Sequence, residues 1–352
     1  MSRKRSLPSS GPHEPEILSS VFNTKVYSHP AMLSRWIRHD DLTHLGLHFV
    51  VTPRTCGERV YVFLNKLQSN VIAIWLYNRC EEVTRLQTQT QETVSDEVCM
   101  SILDAYVTSD GVIWVCDALL LNNEIVNKYS VLIRMEKLRE FFRSWRGIGE
   151  RMNAFPMGNI CSTALENIPC VSVSDRYLMV KPNYPLGHLL DIPDMMEVDG
   201  FIFSRLMTAY GPYRSIPNAS LKWSPYPSVK FHVSVIKQDV KNGMKTEKTE
   251  KVKNEAMDLY PFYTVDTLSN RYKLKVQVGD ELVHVASTSE VDKICLHARS
   301  EFIGEFIWND LWQCVRIRED RKAPNTMDVF LETLHAISHP VTMQQIRDAI
   351  GL

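Results

Sequence analysis

Trp312-Gln313-Cys314-Val315-Arg316-Ile317-Arg318-Glu319-Asp320-Arg321-Lys322-Ala323-Pro324-Asn325-Thr326 packs four cations into the seven positions from Arg316 to Lys322 and then stops at a Pro-Asn turn. Cations so dense are rarely needed to hold a fold. Guanidinium forks match phosphate oxygens, so the stretch reads as a phosphate-gripping surface. Residues 311–317 within it read as a short strand. Residues 272–278, 281–285 and 302–307 do the same between polar turns, a spacing that suits a small barrel.

Downstream, Met327, Phe330, Leu334 and Ile337 form one apolar helical stripe over 327–338, and a second short helix is expected over 343–350. Upstream, strands are expected at 48–51, 60–64, 71–77, 101–107, 112–121, 177–180, 200–203 and 229–235. Cys56-Gly57 and Ser109-Asp110-Gly111 supply two of the turns. A helix over 135–145 puts Leu138, Phe141 and Phe142 on one face. The mixed-charge stretch within 237–254 reads as an exposed loop. Residues 1–25, dense in Ser, Pro and Gly, read as a disordered tail. Its MSRKRS start is a solvated basic cluster or a nuclear-localisation signal.

The length of 352 residues suits two domains, and a net charge of −1 confines any nucleic-acid surface to a local patch. The longest apolar run, 71–77, is too short to span a bilayer, and no N-terminal segment reads as a signal peptide. Eight cysteines without a C-x-x-C pair read as reduced thiols of an intracellular protein. His39, His44 and His48, beside Asp40 and Asp41, lack metal-ligand spacing and read as solvated histidines, with a metal site the alternative. A G-x-x-x-x-G-K-[ST] phosphate loop, an H-E-x-x-H zinc motif, a cysteine-phosphatase signature and a methyltransferase glycine-rich turn are all absent from the sequence.

Three motifs follow one another in order: Glu197-Val198-Asp199-Gly200-Phe201-Ile202-Phe203, Leu221-Lys222-Trp223-Ser224-Pro225 and Arg316-Ile317-Arg318-Glu319-Asp320-Arg321-Lys322-Ala323-Pro324-Asn325. Tyr210-Gly211-Pro212-Tyr213-Arg214 lies between the first two. In these motifs the chain, from about Pro30 to Ile350, resembles the mRNA capping guanylyltransferases, which read (E)xDGLIF, LKWKP and R-x-R-x-D-K-x-x-P-N. The resemblance implies an α+β protein. A ligase-type, ATP-grasp-like nucleotidyltransferase domain of antiparallel sheets is expected over 26–228. An oligonucleotide-binding (OB-fold) barrel with C-terminal helices is expected over 229–352.

Family chemistry would have a lysine attack the α-phosphate of GTP and then pass GMP to a diphosphate RNA end. The resemblance implies GTP as ligand or substrate, with Mg2+ or Mn2+ if the enzyme is active. It assigns Glu197 and Asp199 to the metal and the guanosine side, and Lys222 to the α-phosphate. Arg54, Arg59, Arg316, Arg318, Asp320 and Arg321 join them as nucleotide- and phosphate-binding residues. Implied partners are an RNA 5′ end or cap, an RNA triphosphatase and a cap methyltransferase, without a membrane. The expected location is intracellular: the nucleus in a cellular host, the nucleus or cytoplasm in a viral setting.

The nucleophile motif departs from the family. K-x-D-G-x-R stands here as Arg54-Thr55-Cys56-Gly57-Glu58-Arg59. Arginine keeps its proton below pH ~12 and offers no neutral nitrogen for attack. The family's D-G-E is Asp104-Ala105-Tyr106, the second lysine of LKWKP is Ser224, and V-D-F is Val229-Lys230-Phe231, a charge reversal that disfavours a metal there. Ile113-Trp114-Val115-Cys116-Asp117 keeps the family's strand ending in an acid, with Trp114 a base-stacking candidate or a core residue. Binding retained and covalent transfer lost is the reading these changes favour. GMP transfer through a displaced Lys66 or Lys222 and a non-binding scaffold subunit are the two alternatives.

Overall fold

Val60-Tyr61-Val62-Phe63-Leu64 is apolar at every position, and the strand that contains it is covered on both faces. Val60, Val62 and Leu64 join one buried cluster, Tyr61 and Phe63 another. A continuous apolar run, as opposed to alternation, is what burial of both faces demands. The computed structural model describes residues 34–46, 48–68, 71–78, 83–89, 100–144, 170–173, 176–192, 198–211, 220–236, 271–288 and 301–352. They divide between two units, 1–227 with 331–352, and 228–330.

The larger sheet of the first unit runs in the order β5-β4-β3-β6-β7-β10-β9. These strands are β3 (Glu58–Gln68), β4 (Val71–Asn78), β5 (Val83–Gln89), β6 (Ser101–Val107), β7 (Val112–Leu121), β9 (Cys170–Val173) and β10 (Arg176–Val180), and the short β8 (Glu124–Ile125) hangs on β7. Pairing is antiparallel except between β7 and β10. Two helices precede and follow the early strands: α1 (His39–Leu42) and α2 (Val131–Ser144). Leu138, Phe141 and Phe142 of α2 enter the same cluster as Val62 and Leu64. Each such side chain contributes on the order of 1.5–3 kcal/mol by leaving water.

A smaller sheet in this unit has the order β1-β13-β12-β2-β11. Its strands are β1 (Arg35–Trp36), β2 (Phe49–Thr55), β11 (Tyr184–Pro185), β12 (Val198–Arg205) and β13 (Ser220–Trp223), and a 3-10 turn (Leu186–Asp191) follows β11. Phe49 and Val51 of β2, Phe203 of β12 and Leu221 of β13 share a core with Val341 and Ile346. The last two bracket the start of the C-terminal helix α4 (Met343–Ile350), which follows α3 (Met327–Ser338). Residues 331–352 therefore pack with the first unit, whereas the sequence groups them with the second domain. The reason is local: Trp223 Nε1 donates to Val341 O at 2.7 Å, and the apolar face of α4 completes the small sheet's core.

The second unit is a five-stranded antiparallel sheet of β14 (Ser228–Ile236), β15 (Arg271–Val278), β16 (Glu281–Thr288), β17 (Glu301–Asn309) and β18 (Leu311–Ile317), in the order β16-β15-β14-β17-β18. Thr288 Oγ1 donates to Trp312 O at 2.7 Å and draws the two outer strands together. That order, closed in this way, is the OB-fold arrangement expected from the sequence. Phe231 lies edge-on to Phe306, Trp312 and Phe330 and fills the interior.

The α+β class and the antiparallel sheets agree with the sequence reading. It misses β1, β5, β8, β9, β11 and β13, which are short or polar, and α1. The calls on the 1–25 tail, the 237–254 loop, Glu197, Tyr213, Arg214 and the side chain of Lys66 lie outside the described residues. No helix among the described residues is long and apolar enough to cross a membrane.

Candidate functional site

Strand β2 ends at Thr55 and β3 begins at Glu58, so the segment from Arg54 to Arg59 is a strand–turn–strand. Gly57 is required there, because a Cβ would lie 2.5 Å from Val107 O. Arg54 therefore stands at the end of β2, facing Asp199, with Arg54 Nη1 2.9 Å from Asp199 Oδ2. Asp199 is aimed by a bulge: the β12–β2 register shifts between Val198 and Phe201. Gly200 has φ +144°, and a Cβ on it would sit 1.9 Å from Trp223 O. Only glycine lets β12 and β13 approach so closely. The Arg54–Asp199 contact is an ion pair by distance but not an aligned hydrogen bond. Arg54 Nη1 and Asp199 Oδ1 both remain buried without a hydrogen-bond partner.

Trp36 joins Arg54 to Lys222. The Arg54 guanidinium lies 5.8 Å from the Trp36 ring centroid and Lys222 Nζ 4.2 Å from it, both cation–π distances. Trp36 Nε1 donates to Thr333 Oγ1 at 3.0 Å, so α3 fixes the ring that the two cations share. The structure thus brings together Arg54, Asp199 and Lys222, three of the residues predicted from sequence.

Arg59 has a different employment. Its Nε donates to Asp104 Oδ1 at 2.9 Å and its Nη2 to Oδ2, and Tyr210 Oη donates to the same Oδ2 at 2.8 Å. Burial works against the guanidinium charge, but Asp104 and Tyr106 outweigh it and raise the Arg59 pKa well above its ordinary value. Asp104 faces Asp117 across β6–β7. Each carboxylate is neutralised by its own arginine, Asp117 by the fully buried Arg134 at 2.7 and 2.8 Å. Asp117 is thus tied into the fold, and Trp114 is a core residue.

Lys181 was not singled out from sequence. It follows β10, extends the parallel pairing through Lys181 N to Val115 O at 2.7 Å, and is only 1% exposed. Its Nζ has no hydrogen-bond partner and lies 5.6 Å from the Tyr106 ring. Burial lowers its pKa. Cys116 and Asp199 pull the other way, Arg59 and Arg54 add to the lowering, and the net shift is downward. Cys116 is the residue skipped where the β6–β7 register shifts, and burial pushes its thiol up to about 11. The available sequence signal was a charged residue continuing the buried strand Leu178-Met179-Val180.

In the second unit, Glu305 of β17 was also missed, although a lone acid inside the apolar run 302–307 marks it. Its neighbours across the sheet are Lys230 on β14 and Arg316 on β18, both in direct register. Ser228 Oγ donates to Oε1 at 2.6 Å, Arg316 Nε to Oε2 at 2.7 Å and Arg318 Nη1 to Oε2 at 3.0 Å. Lys230 Nζ completes the shell at 2.5 Å. Burial favours the neutral acid, but Lys230 and Arg316 hold Glu305 well below the usual carboxylate range. Arg318 also grips Asp320 with Nε and Nη2 at 2.7 and 2.6 Å. Two of the motif's cations therefore do hold the fold, through a buried acid.

The Pro-Asn turn has a structural office too. Asn325 exchanges bonds with Lys230 (Lys230 N to Oδ1, Asn325 N to Lys230 O, both 2.7 Å) and its carbonyl accepts from Gln277 N at 2.9 Å. Lys230 itself partners Glu305.

Three or more His, Cys, Asp or Glu residues gathered to hold a metal do not occur among the described residues. Asp41 of the histidine-rich segment is taken by Arg35 Nη1 at 2.7 Å and Arg38 N at 2.8 Å. Asp199 Oδ1 is the one unsatisfied buried carboxylate oxygen among the described residues. One such oxygen is a single ligand and does not make an all-protein metal cage.

Residues 227–347 match the family model of the mRNA capping enzyme, C-terminal domain. No curated protein matches the chain. Among solved structures, one described as "DNA binding with a minimal scaffold: Structure-function analysis of Lig E DNA ligases" aligns at 8% identity and a TM-score of 0.33, over 82% of this chain and 99% of that one. A second, "Pmar-Lig_PreS3", aligns at 9% identity and a TM-score of 0.35, over 83% and 65%.

Proposed function

We propose that this chain is a guanylyltransferase-like protein that recognises GTP, a cap or a phosphorylated RNA 5′ end, and that it does not carry GMP on a lysine at the family's nucleophile position. The observation that carries the reading is Arg54 at the end of β2, ion-paired with Asp199 at 2.9 Å and packed on Trp36 with Lys222. A guanidinium cannot lose its proton to attack phosphorus, yet it can hold phosphate oxygens through two parallel N–H donors. Lys222 adds a second cation on the same ring. Aromatic Trp36 is buried and serves the cations, so it positions them and leaves base stacking to other groups.

Magnesium or manganese accompanying the phosphates would meet Asp199 Oδ1 and supply charge neutralisation. Arg54 already holds the other carboxylate oxygen, which lowers the negative charge available to the ion. Arg316, Arg318, Asp320 and Arg321 are proposed as phosphate-binding residues of the second unit, with Arg316, the more exposed of the two arginines paired with Glu305, the leading contact. An RNA triphosphatase and a cap methyltransferase would act on the same RNA ends, in the nucleus or cytoplasm.

The test is incubation with α-phosphate-labelled GTP and magnesium or manganese, followed by a denaturing gel, with parallel titrations of GTP, a cap analogue and triphosphorylated RNA. The expected result is binding of at least one ligand, weakened about tenfold by Arg54→Ala, with no labelled protein band. A labelled lysine, or no binding at all, would overturn the proposal.

A further inference from the structure

We propose that the second unit carries a separate contact for the body of a single-stranded RNA: the outer face of β14, β15 and β16 holds the phosphodiester backbone through Lys273 and Lys275, with His284 stacking on a base. This contact needs no 5′ phosphate and goes beyond the end recognition proposed above.

Strand periodicity makes the face. Tyr272, Leu274 and Val276 of β15 are buried, so Lys273 and Lys275 between them point outward. They stand about 7 Å apart along the strand. Register places His232 of β14 and His284 of β16 on either side of Lys275, and Ser234 and Ser287 on either side of Lys273. His284 Nε2 and Ser287 Oγ are 3.1 Å apart, which ties the two rows together. Lys273, His284 and Ser287 are exposed, and Lys275 and His232 are half-buried.

Neither lysine forms an ion pair with another described residue. The acids around the face are engaged or marginal. Glu305 is saturated by Lys230, Arg316 and Arg318, and Glu301, at the start of β17, lies 3.7 Å from His232. Asp280 and Glu281 sit at the β15–β16 turn, beyond Gln277. Two lysines without carboxylates, bordered by hydroxyls and imidazoles that donate hydrogen bonds, match a chain that carries one phosphate per nucleotide. The exposed imidazole of His284, opposite Lys275, offers a flat ring on which an unpaired base stacks, and this selects a single strand over a duplex. Protein interfaces are anchored by clustered aromatic and apolar side chains, whereas Leu282, opposite Gln277, stands by itself as an exposed large apolar residue among the described residues of this face.

The full chain, wild type and the double variant Lys273→Gln with Lys275→Gln, is titrated with a 5′-hydroxyl single-stranded RNA of about 16 nucleotides at several salt concentrations. Expected are binding by the wild type, a loss of about tenfold in the double variant, and a log–log salt slope shallower by about 1.4, from two phosphate contacts at about 0.7 each. The ligand-free melting temperature and a GTP titration should match wild type, because both lysines lie outside the core and neither is proposed to meet GTP. Wild-type affinity in the double variant overturns the surface. Failure of the wild type to bind this RNA overturns it too, whatever GTP and 5′-triphosphorylated RNA do; those two ligands alone decide the end-recognition reading. A loss as large in Lys128→Gln, which removes an exposed lysine of the first unit, means a diffuse attraction and also overturns it. Stronger competition by polyglutamate than by unlabelled RNA assigns the face to an acidic protein segment instead.

Discussion

Glu305→Gln tests whether the arginine-rich motif is built on a buried acid. Glu305 is 4% exposed at its side chain and accepts from Ser228, Lys230, Arg316 and Arg318. Glutamine keeps the shape but offers one acceptor oxygen, and its amide nitrogen turns a donor toward the cations. Lys230, Arg316 and Arg318 would then crowd one another, while Arg318 retains the carboxylate of Asp320. Breaking a buried ion pair by removing one partner costs about 3–5 kcal/mol. For a unit of roughly a hundred residues that is a fall of more than about 10 °C in melting temperature. Urea unfolding followed by Trp308 and Trp312 fluorescence reads the change, and adding Arg316→Met should recover part of the loss by removing one of the crowded cations. A cost below about 1 kcal/mol would refute the reasoning and return Arg316 and Arg318 to a purely ligand-directed role.

Other consequences follow from the same geometry. Gly200→Ala should cost about 3 kcal/mol or more, since its Cβ would collide with Trp223 O; circular dichroism melting and loss of GTP binding measure it. Asp117→Asn leaves the fully buried Arg134 without its carboxylate and should lower stability by about 3–5 kcal/mol, read by denaturant titration. Acid should destabilise the second unit: Glu305 has a depressed folded pKa, so its contribution is fully present above the ordinary value of 4.5 and fades as pH falls toward the folded value. Urea midpoints compared at neutral pH and near pH 3 check that sign. RNA 5′-end binding should weaken steeply between 50 and 200 mM salt, because phosphate contacts carry it; a flat salt profile would speak against Arg54 and Lys222 as contacts.

Much of the fold was legible because strand residues announce themselves locally. Residues 101–107, 311–317, 327–338 and 343–350 form the elements expected, with the same bounds. Their turns and apolar patterns are properties of a few neighbouring residues. The Arg54, Asp199 and Lys222 grouping was also legible, through ordered motifs that carry a glycine-dependent turn at Gly57 and a glycine-dependent bulge at Gly200. Glu305 and Lys181 escaped because a single charge in an apolar strand carries no mark of what it meets.

By itself, the sequence determined much of the strand and helix pattern, the glycines at positions 57 and 200, and an arginine at position 54. Each depends on backbone sterics or side-chain chemistry that a short segment contains. Tertiary structure alone decided that residues 331–352 pack with the first unit, that Glu305 gathers the motif's arginines and that Lys181 is buried against the Tyr106 ring without a hydrogen-bond partner. Those outcomes turn on register between strands distant in sequence and on which charges burial leaves uncompensated, and neither is a property of any one segment.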